Sequence, residues 1–261
     1  MLSAAAVRQQ IESSLAARIP AALSVRFQHT PELIPTGITE VDILLEGGLA
    51  LGSLAEIVGP TCSGRSTLVS SILAGATRQG AACAYVDVAD AFDPLSAAAI
   101  GIHLGRLLWV RVSRTEKSDK QVWASLDRAL RATDLLLNAG GFRVIVLDMG
   151  DVRAEQVRRV PLASWYRYRL QAEKSQALFL LLAQTTCANS CASVVLHCSE
   201  ADERWEYATG NQNGLPLLTG LQYSVSADRK RASAREFIHP FGKKPVSAVQ
   251  AVWKRTSLWA R

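Results

Sequence analysis

The chain of 261 residues has no apolar run approaching the ~18 residues that span a bilayer, so no helical membrane span is expected. Its first segment, Met1 to Pro20, is Ala-rich but interrupted by Arg8, Gln9, Gln10, Glu12 and Arg18, and it lacks a basic segment followed by an apolar one. A secretory signal is therefore not expected, and a cytoplasmic location is the default. Internal repeats and low-complexity tracts are missing. Charged residues are only 20% of the chain against 49% hydrophobic ones, which excludes a disordered polyelectrolyte and leaves enough apolar material for a sizeable core. Cysteines number five (Cys62, Cys83, Cys187, Cys191 and Cys198), an odd count that points to reduced thiols. Cys187, Cys191, His197 and Cys198 cluster in sequence as metal ligands can. Neighbours 197 and 198 in a strand would face opposite sides, which argues against a shared ion.

What is present is an alternation of strands and helices. Val7, Ile11, Leu15 and Ile19 mark a short amphipathic helix over residues 1–18, followed by a linker punctuated by Pro20, Pro31 and Pro35. Strands are expected at Leu54–Val58, Ala82–Val88, Leu107–Val112, Val144–Leu147 and Ala177–Ala183. Helices are expected at Ser66–Arg78, from Asp93 to Ile102, over 118–139 with Val122, Leu126, Leu130, Thr133 and Leu137 on one face, and over 155–174. Beyond Ser193 the rhythm changes to short strands near 193–198, 204–208 and 221–227. The pattern predicts an α/β fold: a central, mostly parallel sheet flanked by helices and extended by antiparallel strands on the C-terminal side.

The sharpest chemical signal is Gly59-Pro60-Thr61-Cys62-Ser63-Gly64-Arg65-Ser66-Thr67, between an apolar strand and a helix. Glycines at this spacing let backbone N–H groups close around phosphate oxygens at a helix N-terminus, and Ser66 is placed to ligate Mg²⁺ through its hydroxyl. Arg65 stands where this motif has lysine. The positive charge survives, but a planar fork replaces a compact ammonium, so phosphate binding is expected to persist better than hydrolysis. Asp148, ending an apolar strand, either holds Mg²⁺ through water or caps the following segment.

Pro35-Thr36-Gly37, Asp42, Gly47-Gly48-Leu49, Gly52, Glu56-Ile57 and Gly59-Pro60, with Tyr85 to Pro94 downstream, resemble the ATPase core of bacterial RecA proteins over residues 35–231. Within that superfamily the shortened core and altered loop are similar to the ImuA group, RecA/SulA-like partners of translesion polymerases. The resemblance implies a RecA-like core, ATP and Mg²⁺ as cofactors, and a setting in DNA repair, recombination, the SOS response and translesion synthesis. It places the family's catalytic glutamate on Ala89, its adenine-contacting aspartate on Asp93 and its stacking tyrosine on Ser96. The γ-phosphate-sensing glutamine falls on Gln184, which reads equally as a polar strand cap. Arg229 and Arg231 match two lysines that reach a neighbouring subunit's ATP, or simply belong to a basic tail. The two DNA-binding loops of the family have little room here, since the stretch after Asp148 and that between Gln184 and Ser193 are short.

The formal charge is +6, and residues 228–261 hold nine Lys or Arg against two Asp or Glu, so the excess is concentrated at one end. Such a stretch suits an anionic partner such as single-stranded DNA, or is a solvated tail. Arg158, Arg159, Trp165, Tyr166, Arg167, Tyr168 and Arg169 interleave cations with aromatics, which suits nucleic acid or a subunit interface. The same sequence also describes a helix with an aromatic core face and a basic solvent face. Trp253 and Trp259 suit docking into a partner. The expected organisation is an N-terminal helix and linker (1–34), a RecA-like core (35–231) and a basic tail (232–261). Three functions fit: a nucleotide-binding accessory protein with DNA, a translesion polymerase, itself or RecA as partner; an active DNA-dependent ATPase and recombinase; or a nucleotide-free scaffold. In the first, ATPase activity is weak or absent.

Overall fold

The computed structural model describes residues 31–112, 119–200, 202–207, 216–229 and 250–256. The helix expected over 1–18, together with Arg231 and Trp259, lies outside them. Five strands lead the parallel part of the sheet: β3 (Leu54–Val58), β4 (Cys83–Asp87), β5 (Leu107–Arg111), β6 (Val144–Asp148) and β7 (Leu178–Ala183). β8 (Val194–Cys198) joins them in parallel alongside β3, giving the order β8-β3-β7-β6-β4-β5. On the far side of β8 the sheet turns antiparallel through β10 (Pro216–Arg229), which also pairs with β9 (Asp202–Tyr207) and β11 (Gln250–Thr256). A separate two-stranded piece pairs β1 (Leu33–Ile34) with β2 (Leu49–Ala50). This is the α/β architecture that the strand–helix rhythm predicts.

The near-continuous apolar runs of β3, β6 and β7 follow from burial on both faces, the usual condition of parallel strands. One face carries Ala55, Ile57, Tyr85, Val146, Leu180 and Leu196 against helix α2 (Arg65–Arg78). The other carries Leu54, Ile145, Phe179 and Val195 against α4 (Asp119–Ala139) and α6 (Leu162–Ser175). In the chain α1 (Thr39–Leu44) precedes α2, α3 (Pro94–Ile100) stands between α2 and α4, and the single turn α5 (Ala154–Val157) between α4 and α6. In α4 the spacing-derived face is the buried one, with Leu126, Ala129, Thr133 and Leu137 enclosed.

Two local outcomes differ from the sequence expectation. The single helix expected over 155–174 is split: α5 ends at Val157 and α6 starts at Leu162, with Pro161, which has no N–H to donate, in an extended conformation at the second start. Part of the basic stretch after residue 231 is not tail, since Gln250–Thr256 pairs along β10 from Gly220 to Ser226. α1 and the β1–β2 pair were also not anticipated, and Asp42 explains them in part. Its carboxylate accepts from the Thr36 N–H at 2.6 Å and from the Thr36 hydroxyl at 2.8 Å, tying the Pro35–Gly37 turn to α1.

Trp165 is 1% exposed and packs edge-on to Tyr168, whereas Tyr166 is 51% exposed. Trp165→Ala is expected to cost about 3–5 kcal/mol in urea unfolding, and Tyr166→Ala to stay within about 0.5 kcal/mol. Equal losses would mean that this helix packs the other way round.

Candidate functional site

All parallel strands end at one edge of the sheet, and register aligns the ends: Val58 beside Ala183, Leu182 beside Asp148, Asp148 beside Asp87. The chain leaves β3 there and enters the loop Gly59–Gly64 before α2. Two glycines of that loop are required by contact. A Cβ on Gly59 would collide with the carbonyl oxygen of Cys198. Gly64 has φ +82°, and a Cβ there would stand 2.5 Å from the Tyr223 ring, which β10 lays against the loop. Pro60, Thr61, Cys62 and Ser66 are exposed, Gly59, Gly64 and Thr67 half-buried.

Inside the loop the side chains are polar and unpaired. Ser63 is 1% exposed and its Oγ has no hydrogen-bond partner among the described residues; neither does Nη1 of Arg65, which is 8% exposed. Buried polar atoms are nearly always satisfied, so two orphans in one cup mark a place for a ligand. Both are donors, the free N–H groups of α2 add partial positive charge, and no acidic residue occupies its first turn. Such a group of donors can accept an anion.

Asp148 closes the far side. The Tyr85 hydroxyl donates to its Oδ2, and the Gly150 N–H donates to its Oδ1 at 2.8 Å. Burial pushes the Asp148 carboxyl above its ordinary range, while those hydrogen bonds and the nearby Arg65 cation pull it down. Burial and the neighbouring Asp148 charge also push the Tyr85 hydroxyl well above its ordinary value. A Cβ on Gly150 would stand 3.1 Å from Asp148 and 3.3 Å from Nη1 of Arg65, so the guanidinium reaches across towards the aspartate loop. Gln184 joins the same group, its Nε2 donating to the Gly150 carbonyl at 3.2 Å. Ser63, Arg65, Asp148 and Gln184, drawn from separate stretches of sequence, therefore meet at one edge.

Other predicted positions have local duties. Ala89 offers no carboxylate, and its neighbour Asp90 is gripped by Arg111 through Nε and Nη2, each at 2.8 Å. That grip holds the Asp90 carboxyl below its ordinary range. Asp93 caps α3, its carboxylate accepting from the Ser96 hydroxyl and from the N–H groups of Leu95 and Ser96. In the basic–aromatic patch, Trp165 and Tyr168 belong to the core, so their rings cannot stack on bases. Arg158 and Arg159 are exposed, Arg167 pairs with Asp134 at 3.1 Å, and Arg169 lies 5.4 Å over the ring of Tyr166. Arg229 is the last residue of β10. Cys198 and Cys187 sit in the cores on opposite faces of the sheet, and His197 pairs with Asp228, so the cysteine–histidine cluster does not converge.

One residue of consequence has no role assigned from sequence. Glu56, in the middle of β3, has no exposed surface. Its Oε1 accepts from the N–H groups of Cys187 at 2.7 Å and Ala188 at 2.8 Å, and from the Cys187 thiol at 3.2 Å. The carboxylate thus clamps the loop after Gln184 to the strand that leads into residues 59–64. A lone acid inside Leu-Ala-Glu-Ile-Val was the available signal. Glu56→Ala is expected to cost about 1–3 kcal/mol for each orphaned amide in urea unfolding, and Glu56→Gln, which keeps an oxygen there, distinctly less. Equal losses for the two would mean that charge rather than the pair of accepted hydrogen bonds matters.

Among the described residues, no helix is long and apolar enough to cross a membrane. The sequence profile described as the RecA N-terminal domain matches residues 4–157. The proteins named "Protein RecA" from Ectopseudomonas oleovorans and from Methylococcus capsulatus (strain Bath) are each 38% identical to this chain over 118 residues, 45% of it and 31% of the relative. The protein of the same name from Colwellia psychrerythraea is 36% identical over the same spans. The matched region thus spans less than a third of these relatives' length. Because that profile covers more than half of the chain, the chain belongs to the RecA N-terminal domain family.

Proposed function

We propose that this chain is a RecA-like DNA-repair protein that binds a nucleoside triphosphate at residues 59–67 and uses it chiefly as a ligand, with little or no hydrolysis. The observation that carries the reading is the pair of buried donors without partners, Ser63 Oγ and Arg65 Nη1, in a cup at the N-terminus of α2. Phosphate oxygens satisfy both. The exposed Ser66 hydroxyl would hold Mg²⁺ directly, and Asp148, which keeps lone pairs beyond its two accepted hydrogen bonds, would hold it through water. Bound there, the ion would neutralise phosphate charge. Hydrolysis lacks its base, because position 89 is alanine and the Asp90 carboxylate is committed to Arg111.

In this reading the protein is an accessory of damage-induced mutagenesis in the cytoplasm. It acts with single-stranded DNA and a translesion polymerase, or in self-association or contact with RecA. The exposed Arg158 and Arg159 and the cations of residues 228–261 supply the charge for DNA. A DNA-dependent ATPase is the second reading, favoured by the hydrogen bond from Gln184 to the Gly150 carbonyl, which puts an amide side chain next to the turn after Asp148. Calorimetry with ATP and Mg²⁺, followed by phosphate release with single-stranded DNA present, separates the two. Binding without turnover is expected; DNA-stimulated turnover favours the ATPase, and no heat of binding favours a scaffold.

Arg65→Lys is expected to tighten ATP binding several-fold without brisk hydrolysis; a rise in turnover of about tenfold, some 1.4 kcal/mol in barrier, would overturn the reading. Because residues 250–256 form a strand, substitution tests the basic stretch better than truncation. Lys243→Glu with Lys244→Glu is expected to weaken binding to single-stranded DNA and to flatten its log–log salt dependence by about 1–2. An unchanged slope would remove these lysines from the DNA site.

A further inference from the structure

The cup carries the chain's accessible thiol. Of the five cysteines, all within the described residues, Cys83, Cys187, Cys191 and Cys198 are buried and Cys62 is exposed. Burial pushes the Cys83 thiol up to about 11 and that of Cys198 up to about 12, which keeps both protonated and unreactive near neutrality. Cys62 adopts φ 60°, a left-handed conformation rare for a residue with a side chain, which helps the loop turn Cys62 outward and Ser63 inward. Its Cα lies no more than roughly 11 Å from that of Arg65, three peptide units at about 3.8 Å each. An exposed nucleophile therefore stands beside a cup whose two buried donors, Ser63 Oγ and Arg65 Nη1, have no partner among the described residues.

We propose that Cys62 is a modification site for small anionic disulfides, whose carboxylates dock in this cup, and that the adduct and a bound phosphate ligand exclude each other. The Cys62 thiolate attacks one sulfur of the reagent. A new S–S bond forms to Cys62, the reagent's own S–S bond breaks, and its other half leaves as a thiolate that takes up a proton. Excess thiol reverses the exchange by the same route. The exclusion of nucleotide rests on the reading above; the thiol reaction and its anion dependence do not.

Oxidised glutathione, which is anionic, and cystamine, which is cationic, are the probes for the full-length chain, with intact-mass and peptide mapping as readout. One glutathionyl group is expected, on Cys62, and native Cys62→Ser should take up none. Relative to the unfolded chain, the reaction with oxidised glutathione should outpace that with cystamine at low salt. Saturating inorganic pyrophosphate should slow it about tenfold by occupying the cup. The adduct should bind ATP at least about tenfold more weakly, a difference of some 1.4 kcal/mol, until dithiothreitol restores it. Labelling at another cysteine, absence of an adduct, or a rate indifferent to pyrophosphate overturns the proposal, and mapping of the wild-type chain is enough to reveal each of these outcomes. Unmodified protein that takes up no ATP, yet still forms a pyrophosphate-sensitive Cys62 adduct, sinks the nucleotide reading and supports the thiol site.

Discussion

The common register of the parallel strands is the constraint from which the site follows. β3, β7 and β6 are enclosed on both faces, so they can vary little and must pair along their whole length. Pairing sets Val58 against Ala183 and Leu182 against Asp148, and with them the three loops that follow. The cup, the aspartate and the glutamine owe their meeting to backbone hydrogen bonds deep in the core. A slip of one residue in β6 would turn Asp148 to the opposite face, towards α4 and α6.

On this rigid edge sits a polar system with few alternatives. Tyr85 and the Gly150 amide hold Asp148, Gln184 holds the Gly150 carbonyl, and Glu56 holds the amides of Cys187 and Ala188. Most of the donors and acceptors near the cup are thus spent on one another. Near the loop, the buried side-chain atoms left without a partner among the described residues are Ser63 Oγ, Arg65 Nη1 and the second carboxylate oxygen of Glu56, and of these only the first two are donors at the N-terminal end of α2. That contrast separates a ligand site from packing that happens to be polar.

Local sequence pattern makes much of this legible. The glycine spacing of 59–64, the apolar run ending at Asp148 and the order of strands are short-range features, and they survive folding unchanged. Pairings between distant residues are not legible in the same way. Tyr85 and Asp148 are 63 positions apart, Glu56 and Cys187 are 131 apart, and no local periodicity connects them. β11 is hidden for a different reason. Its residues Lys254 and Arg255 give the segment a charged look in sequence, although its backbone pairs along β10 at the end of the strand order. The aromatic run at 165–168 misleads in the opposite sense, since helical geometry sends Trp165 and Tyr168 inward and Tyr166 outward.

The placement of the Tyr223 ring on Gly64 bears on how small this protein can be made. β10 joins the sheet through β8, well after the last strand of the shared parallel order, and looks dispensable on a topology diagram. Yet its aromatic side chain forms the back wall of the loop at Gly64. A shortened version that ends before residue 223 would keep residues 59–67, Asp148 and Gln184 and lose the ring that backs the loop at Gly64.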